Sequence, residues 1–520
     1  MIEVIPTSSR LAVAAYYGFA ALIPYLFLRI TYLIWFHPLS NYPGPFAAKL
    51  SHAYNGYHAF KRQLHTTTRQ NHLEYGSVVR QGPNNLVFNS VTALQDIYKN
   101  DRTTKTEAYI ALGPKLTIPT IFAAQDRELH RSRRQLIGRA ISERSMRIFE
   151  PTMLEKVDLL VRHIFHSTQG SQPVTINMTE RARMLGFDLA GLLAFGYDLK
   201  LQTREENGFV LPMLEAGFFW SSVFVHWPFT RKFSLGLALI TVFRRLRSQY
   251  LSLVEHIITS RVKQDKNAQH DLYSIVADDL GSGEPGGIRA TELWAEATVF
   301  LPAAGDTTKT AIASIFFYLS HNIRCYDILA NEIRSSFTSG GQINGSALAG
   351  CKYLRACIEE SLRMSPPVAG ILWREAYPSE QPFVVDGHVI PHGTIVGVNI
   401  YSLHYNDAYF PDPFTFLPER WLEDAKTARD AFASFSIGPR GCAGKAMAYL
   451  EISLVVAKIL WYFDFKAVAR NGEAHTRTIP TTNGSERAEV FELLDNFTSS
   501  HDGPYLEFQQ REEYCRELNE

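Results

Sequence analysis

A short stretch around one cysteine carries the clearest chemistry in this sequence. It runs from Phe435 and places Cys442 directly before an apolar segment with helical character. Amides at the start of a helix lack intrahelical partners and favour a thiolate. The planar guanidinium of Arg440 can form two parallel hydrogen bonds with a carboxylate. Gly438 and Gly444 let the backbone approach a bulky, flat group. The stretch indicates a reactive or metal-binding thiolate, and a cysteine protease, which needs a histidine base, stays open at this point.

Two other sets of polar residues stand in apolar, helix-like sequence. Asp306 and Thr307 are adjacent, and burying them is costly unless they bond to the backbone or relay protons. Glu360 and Arg363 are one helical turn apart, close enough to form an ion pair. The same spacing is common on solvated helix faces, so by itself it carries little information.

A glycine pattern at 281–286 matches the G-x-G-x-x-G of dinucleotide-binding turns. Such a turn follows a buried strand, opens a helix, and has an acidic residue about 20 positions further on. Here Asp278 and Asp279 precede the pattern, and Pro285 interrupts it. We interpret it as a surface loop and expect no flavin or nicotinamide site in this chain.

The cysteine stretch contains every fixed position of F-x-x-G-x-R-x-C-x-G, and through it the chain resembles the cytochrome P-450 superfamily. The resemblance extends from about Pro43 to Arg511 and is greatest to fungal monooxygenases of specialised metabolism. It implies a mainly α fold with a minor β-sheet portion, in a single large domain. It also implies haem b as cofactor, with Cys442 as the axial ligand of the iron, a thiolate that favours O–O cleavage.

The resemblance also assigns roles to other residues. Besides the ligand, the implied haem-binding residues are Arg440, Phe435, Gly438, Gly444, His130, Arg134, Arg374 and Ala303. The implied buried charge triad is Glu360, Arg363 and Arg420. Asp306 and Thr307 become the pair that delivers protons to dioxygen. Ala304 stands where glycine is usual and follows Pro302, so we expect a narrowed or reshaped oxygen-side cavity.

His130 stands where the family more often has tryptophan, four residues before Arg134. The resemblance makes both of them contacts of the haem propionates. Arg127, Arg131 and Arg139 crowd the same stretch, so a basic surface helix that docks an acidic redox partner is an alternative.

The hydrophobic pattern predicts the elements that position these residues. Helical patterns dominate from about Leu94, and the helix that carries Asp306 must lose a backbone hydrogen bond at Pro302. The predicted helices include 288–320, 356–364 and 443–463, and the predicted strands are 77–80, 85–89 and part of 383–398.

An uncharged apolar run at 11–28 is long enough to cross a bilayer. It predicts a membrane anchor over 1–36, because a cleaved signal peptide would have a shorter apolar region and a small-residue cleavage site. A Pro/Gly hinge (37–46), a haem-binding monooxygenase domain (47–511) and a polar tail (512–520) are predicted to follow. Basic residues are more frequent after the span, which places the catalytic domain in the cytosol, at the endoplasmic reticulum membrane.

Composition excludes several other classes of protein. The 520 residues include 52 Lys plus Arg and 52 Asp plus Glu, so no global basic field is available for nucleic acid. Five cysteines without a C-x-x-C pair argue against a disulfide framework and structural zinc. A hydrophobic fraction of 46% excludes a disordered chain.

The resemblance predicts an oxidoreductase that inserts one oxygen atom of O₂ into a lipophilic small molecule such as a terpenoid or polyketide. Electrons would come from NADPH through a separate NADPH-cytochrome reductase. The alternatives are a haem-thiolate isomerase or dehydratase that needs no reductase, and a non-catalytic haem-binding protein. Substrate contacts are expected from residues 109–122, the helix face at Ala303, residues 368–372, and the aromatic segment 210–229. That segment could also dip into the membrane.

Overall fold

The helices of the protein surround one long central helix, and small sheets lie at the periphery. The structure is a computed structural model. It describes residues 7–112, 119–170, 174–232, 237–277, 290–422, 425–469, 476–480 and 487–518. This architecture confirms the predicted mainly α fold with a minor sheet portion. The glycine pattern at 281–286 lies outside the described residues.

The helices differ widely in length, from single turns to the long central one. They are α1 (Thr7–Thr31), α2 (Phe46–Leu50), α3 (Ala53–Phe60), α4 (Leu64–Tyr75), α5 (Val91–Tyr98), α6 (Arg127–Ala140), α7 (Glu143–Ser167), α8 (Met178–Phe195), α9 (Val210–His226), α10 (Phe229–Lys232), α11 (Leu237–Val262), α12 (Leu272–Val276), α13 (Ala290–His321), α14 (Ile323–Ser336), α15 (Gly345–Leu348), α16 (Lys352–Met364), α17 (Ile400–His404), α18 (Lys426–Ala431), α19 (Lys445–Tyr462) and α20 (Glu512–Cys515).

The strands are short. They are β1 (Val78–Gly82), β2 (Asn85–Phe88), β3 (Thr103–Lys105), β4 (Thr175–Asn177), β5 (Arg374–Ala376), β6 (Phe383–Val385), β7 (His388–Ile390), β8 (Ile395–Val398), β9 (Phe463–Ala467), β10 (Thr476–Pro480), β11 (Arg487–Phe491), β12 (Leu494–Asn496), β13 (Thr498–Ser500) and β14 (Tyr505–Gln510). The largest sheet has the order β1-β2-β8-β5-β3, in which only the β2/β8 pair is parallel.

The central helix α13 crosses α8 so closely that side chains are excluded at the crossing. A Cβ on Gly305 would lie 2.6 Å from the Phe187 ring, and one on Gly186 would lie 2.8 Å from the Gly305 carbonyl oxygen. Glycine is therefore required on both helices. The predicted long helix is confirmed, and it continues through Pro302, although proline cannot donate the usual backbone hydrogen bond.

A side-chain cap fixes the start of α6, which carries two of the predicted site residues. Asp126 caps α6 by accepting a hydrogen bond from the Leu129 amide at 2.7 Å, which sets the position of His130 and Arg134. Helix α16 begins after Cys351 and buries one face that includes Glu360. The sequence predicted a helix over 356–364 and offered a basic surface helix as an alternative for the stretch that forms α6.

The N-terminal segment is attached to the body through Arg80. Its guanidinium donates to the carbonyl oxygens of Leu33 at 2.9 Å and Leu39 at 3.4 Å. Among the described residues, no helix combines the length and the apolar character that a membrane crossing requires. The anchor over 1–36 therefore stays a prediction.

The C-terminal residues differ from the predicted polar tail. Residues 512–518 are ordered against α19: the Cys515 thiol donates to the Tyr462 carbonyl oxygen at 3.1 Å, and the Tyr514 ring packs on Trp461. Glu517 accepts a hydrogen bond from the Gly340 amide at 3.0 Å. Tyr514 and Cys515 are flanked by charged residues on both sides, which is why the composition of this segment is polar although both side chains pack against the body.

Candidate active site

An internal cavity of about 310 Å³ lies between α13 and the loop that precedes α19. Its walls are mainly apolar, and it brings together most of the residues singled out in the sequence. The predicted site residues that line it are Cys442, Arg440, Phe435, Gly444, His130, Arg134, Arg374, Ala303 and Thr307.

The loop from Phe435 to Cys442 turns back on itself and directs the thiol into this cavity. The Cys442 amide donates to the Phe435 carbonyl oxygen at 2.7 Å, and the Gly441 amide donates to the Gly438 carbonyl oxygen at 3.0 Å. Gly438 has a φ of +74°, and a Cβ there would lie 2.0 Å from the Tyr98 carbonyl oxygen. The requirement for glycine at 438 comes from this backbone contact, and Gly438 is not among the cavity-lining residues.

Cys442 lies deep in the protein, yet its side chain is accessible because it opens to the cavity. Burial raises the pKa of the Cys442 thiol, and the Gly444 amide and the positive charges of Arg134 and Lys445 only partly oppose this. Burial therefore opposes the effect of the amides at the helix start, and the thiolate state of Cys442 stays a prediction. A bound metal ion would supply the missing stabilisation, because a coordinated thiol loses its proton.

Basic side chains surround one edge of the cavity. Arg440 donates to the carbonyl oxygens of Ala124 at 2.5 Å and Gln125 at 3.1 Å, and Arg374 donates to the Trp373 carbonyl oxygen at 2.9 Å. Arg134 donates to the Gly441 carbonyl oxygen at 2.6 Å. These hydrogen bonds use backbone oxygens, and within the described part of the chain no carboxylate forms an ion pair with these three arginines.

The pKa values of two neighbouring groups record this excess of positive charge. Burial and the charges of Arg440 and Lys105 lower the pKa of His130 to about 3. Burial and the charges of Arg374 and Arg440 also hold the pKa of Lys105 well below its ordinary value. Such an edge favours an anionic group of the ligand.

The opposite wall is formed by α13, and here the predicted acid–alcohol pair is divided. Thr307 lines the cavity, and its hydroxyl donates to the Ala303 carbonyl oxygen at 2.9 Å. Asp306 is buried on the other side of the helix. It accepts hydrogen bonds from Lys309 at 2.9 Å and Thr498 at 2.7 Å, and lies 3.3 Å from Arg183. Adjacent helical positions point about 100° apart, and this rotation turns Asp306 away from the cavity that Thr307 lines.

The structure brings the predicted charge triad together on the cysteine-loop side. Glu360 accepts two hydrogen bonds from Arg363, both at 2.9 Å, and one from Arg420 at 3.0 Å. Trp421 donates to the same carboxylate at 2.9 Å. Arg363 also donates to the His404 and Pro413 carbonyl oxygens. The nearby arginines keep the pKa of Glu360 low despite its burial.

The family model for cytochrome P-450 matches residues 43–481, which is most of the chain. The chain belongs to the cytochrome P-450 family. It is similar to the cytochrome P-450 monooxygenase AKT7 of Alternaria alternata, at 32% identity over 94% of this chain and 96% of the relative. The monooxygenases poxM of Penicillium oxalicum and apf7 of Gibberella fujikuroi are 32% and 31% identical, and cover 94% and 92% of this chain and 93% and 95% of their own lengths. The protein is therefore a P-450 monooxygenase.

Membership of the P-450 family implies a haem cofactor and a redox partner, and the cavity fits a haem. It has a single thiol on one wall, apolar faces, and uncompensated positive charges at one edge, where a porphyrin carries its carboxylates. Gly444 lines the cavity beside Cys442, and a Cβ there would be in ordinary van der Waals contact with Cys442 Sγ at 4.0 Å. The residues that would hold the group are Cys442, Arg440, Arg134, Arg374 and His130.

The expected substrate contacts of the P-450 hold only in part. Residues from 109–122 and 368–372 line the cavity, but no residue of 210–229 does so within the described part of the chain. The aromatic face of α9 packs instead on α3: the Phe219 ring contacts Phe60, and Trp220 packs near Ala59.

Phe497 and Lys105 are among the cavity residues that the sequence did not predict. Phe497 lies at the tip of the C-terminal hairpin (β12–β13), with a φ of +77°, and Lys105 ends β3. Neither belongs to a motif, and no periodic pattern marks them. Only the topology, which folds the C-terminal hairpin over the cavity, brings Phe497 to this place.

Proposed function

We propose that this P-450 inserts one oxygen atom of O₂ into a lipophilic small molecule of fungal secondary metabolism. The observation that carries the proposal is the cavity itself, with the Cys442 thiol on one wall and the α13 backbone with Thr307 on the other. A haem b bound there would supply oxygen activation, with the thiolate pushing electron density towards O–O cleavage.

The chain's own residues would orient the cofactor and limit access to it. Arg440, Arg134 and Arg374 lie where they can hold carboxylates, and His130 can add a neutral hydrogen-bonding group. The Thr307 hydroxyl could donate into the cavity after it rotates away from the Ala303 carbonyl oxygen, to which it donates in this structure. Phe122 and Phe497, whose ring centroids are 5.8 Å apart, cover the far end and exclude water.

Apolar lining supports a lipophilic substrate. Apolar side chains form much of the cavity wall, among them Val299, Phe300, Leu372 and Phe497. The carboxyl group of Glu296, which also lines the cavity, accepts a hydrogen bond from the Ile121 amide at 2.8 Å. Few polar groups remain to recognise a polar substrate. The fungal origin of the similar monooxygenases supports a terpenoid or polyketide-like product of secondary metabolism.

Electrons would come from NADPH through a separate reductase, because the sequence contains no credible flavin or nicotinamide site. Arg131 and Lys445 are exposed near the cysteine loop and could meet an acidic partner. We further propose that α1 holds the enzyme at the endoplasmic reticulum membrane, with the catalytic domain in the cytosol. Exposed apolar residues of that segment, such as Phe27, Trp35 and Phe36, support this.

Product analysis in a fungal host with and without this chain, grown under isotopically labelled dioxygen, tests the proposed function. We expect new products that carry a single labelled oxygen atom and require a reductase. Turnover that continues without NADPH and reductase, with no label gained, would favour the isomerase or dehydratase alternative instead.

A further inference from the structure

Two of the few polar side chains in the cavity lack an anionic partner, the Lys105 amine and the Tyr109 hydroxyl. Both residues line the cavity, and they are 7% and 0% exposed. Lys105 Nζ donates to the Phe122 carbonyl oxygen at 2.6 Å, and within the described part of the chain no carboxylate forms an ion pair with it. The Tyr109 hydroxyl has no hydrogen-bond partner of regular geometry among the described residues. Buried polar groups left in this state are costly, which points to a ligand that completes them.

The proton of the Tyr109 hydroxyl needs an acceptor. Burial raises the pKa of Tyr109, so the phenol keeps its proton and acts as a donor. Arg374 lies beside the phenol oxygen, but a guanidinium has no acceptor atom to offer. A ligand oxygen that accepts a hydrogen bond is therefore the matching partner for Tyr109.

The Lys105 amine lies among aromatic rings and close to other cations. Its Nζ is 4.0 Å from the centroid of the Phe122 ring and 5.4 Å from that of the Tyr109 ring. Burial and the charges of Arg374 and Arg440 hold the pKa of Lys105 well below its ordinary value. An anionic ligand beside Nζ would offset these causes, because opposite charge favours the ammonium form. The same ligand oxygen that suits Tyr109 should therefore carry negative charge.

The carboxylates of a haem do not account for all the positive charge of this cavity. Among the described residues, one acid lines the cavity, Glu296, together with four cationic side chains: Lys105, Arg134, Arg374 and Arg440. Haem b carries a pair of propionates. Even with Glu296 ionised, that pair leaves one positive charge without a partner, and a further anion is needed to balance it.

Lys105 lies on the α13 side of the cavity. The Ile121 amide donates to Glu296 of α13 at 2.8 Å, and this bond holds the neighbouring Phe122 beside that helix. Lys105 Nζ is bound to the Phe122 carbonyl oxygen and therefore shares this position. Arg134, in contrast, donates to the cysteine loop on the opposite wall. Of these two cations, Lys105 is the one placed to meet a substrate on the oxygen side.

Tyr109 lies on the same side, next to the C-terminal hairpin. Its ring centroid is 6.4 Å from that of Phe497 at the tip of the hairpin. The next residue, Thr498, donates to Asp306 of α13 at 2.7 Å, which fixes the hairpin on this helix. The hydroxyl of Tyr109 and the amine of Lys105 thus belong to one part of the cavity, opposite the Cys442 wall.

Resting on the proposed function, we propose that the substrate is a lipophilic carboxylic acid, and that Lys105 and Tyr109 bind its carboxylate. The carboxylate accepts one hydrogen bond from Lys105 Nζ and one from the Tyr109 hydroxyl. An acid that arrives protonated supplies the proton that makes the amine an ammonium, so charge stays balanced. The apolar part of the molecule lies against walls that include Val299 and Phe300.

Equilibrium dialysis with the haem-loaded, full-length protein tests this selectivity without any turnover. The probes are saturated fatty acids from octanoic to hexadecanoic acid, each compared with the uncharged amide of the same chain length. We expect the wild type to bind at least one acid about 10-fold or more tightly than its amide, as a hydrogen-bonded charge in a buried site predicts. A wild type that binds no acid more tightly than its amide would overturn the proposal.

Two variants assign the selectivity to the proposed residues. Lys105→Met keeps the apolar stem and removes the charge, so it should abolish the preference for the acid and leave the affinity for the amide unchanged. Tyr109→Phe should lower the affinity for the acid more than that for the amide, because hydrogen bonds to charged acceptors are stronger. Lys426→Met, at an exposed lysine that begins α18, is the control and should change neither affinity. A preference that survives in Lys105→Met would refute the proposal.

Haem content separates the two carboxylates that Lys105 could bind, that of a substrate and that of the cofactor. It is measured as haem per polypeptide in the purified proteins, and Lys105→Met should match the wild type. A variant that loses haem, while its haem-loaded fraction still prefers acids, would assign Lys105 to the cofactor and overturn the proposal.

Labelled dioxygen separates failure of this proposal from failure of the proposed function. Labelled product from a wild type without acid selectivity would refute the role of Lys105 and Tyr109 alone. Acid selectivity in a wild type that never incorporates label would refute the monooxygenase function and leave the carboxylate site in place.

Discussion

Glu360 is the most heavily bonded buried anion of the site region, with Arg363, Arg420 and Trp421 all donating to it. Removing one partner of such a buried network strands the others without compensation. We predict that Glu360→Gln lowers the free energy of unfolding by about 3–5 kcal/mol, measured by denaturant titration.

The surface pair Arg355 and Glu359 on the same helix provides the control. Its atoms are 2.8 Å apart, but Arg355 is half exposed, so Glu359→Gln should change the free energy of unfolding by less than about 0.5 kcal/mol. Equal denaturation midpoints for the Glu360 and Glu359 variants would contradict the claim that the buried triad stabilises the fold more than the surface pair does.

Glu451, a fully buried acid on α19, should affect how the free energy of unfolding depends on pH. Burial raises its pKa from the ordinary 4.5 to about 8, so between these pH values the folded state holds a proton that the unfolded state has released. The free energy of unfolding contributed by this group therefore falls as pH rises from about 4.5 to about 8. Glu451→Gln lacks this loss.

Unfolding titrations at several pH values would measure the difference between the two proteins. We expect the free energy of unfolding of Glu451→Gln to rise relative to that of the wild type as pH increases from about 4.5 to about 8. Below a pH of about 4.5 the difference in the free energy of unfolding should stay constant, because the Glu451 carboxyl is protonated in both the folded and the unfolded state. Parallel stability curves across the window would show that Glu451 has an ordinary pKa.

At the residue scale, the sequence was most informative where a motif is dense. The cavity position of Cys442 and the pairing of Glu360 with Arg363 followed from the family resemblance, because the spacing alone carries little information, and the structure shows both. Asp306 lies on the side of α13 away from the cavity, a position that adjacency to Thr307 in the sequence does not reveal, and its role in proton delivery stays a prediction. The burial of Glu451 was not predicted, because the sequence around an acid in an apolar helix does not show whether a polar partner lies opposite it.

At the scale of elements, the C-terminal hairpin closes the cavity with one side chain. Phe497 at its tip contacts the Tyr109 and Phe122 rings, at 6.4 and 5.8 Å between centroids. We predict that Phe497→Ala enlarges the cavity, broadens the range of ligands that bind, and leaves haem content unchanged. Ligand-induced spectral shifts with a size series of apolar molecules would measure this, and an unchanged size limit would contradict it.

Long helices with clear periodicity were predicted best. Helices α13, α16 and α19 and strands β1 and β2 appear close to the predicted bounds. The hairpin β12–β13 was not predicted, because strands of three residues are too short to show an alternating pattern. The role of α9 was also missed, since its aromatic residues pack on α3 and not on the cavity.

At the scale of the whole molecule, one polypeptide segment is proposed to set the location of the enzyme. We predict that deleting residues 1–31 moves the protein from the membrane fraction to the soluble fraction after cell lysis. The deletion keeps Leu33 and Leu39, whose carbonyl oxygens bind Arg80, so folding should survive. The full-length chain is the control, and a truncated protein that still sediments with membranes would contradict the anchor.

The carbon monoxide difference spectrum of the reduced, full-length protein tests the central claim, that Cys442 ligates a haem in the α13 cavity. We predict a Soret band of the thiolate-ligated type in the wild type and its loss in Cys442→Ala, with Cys357→Ala, a buried thiol outside the cavity, unchanged. A histidine-type band in the wild type, or a thiolate-type band that survives Cys442→Ala, would contradict the account.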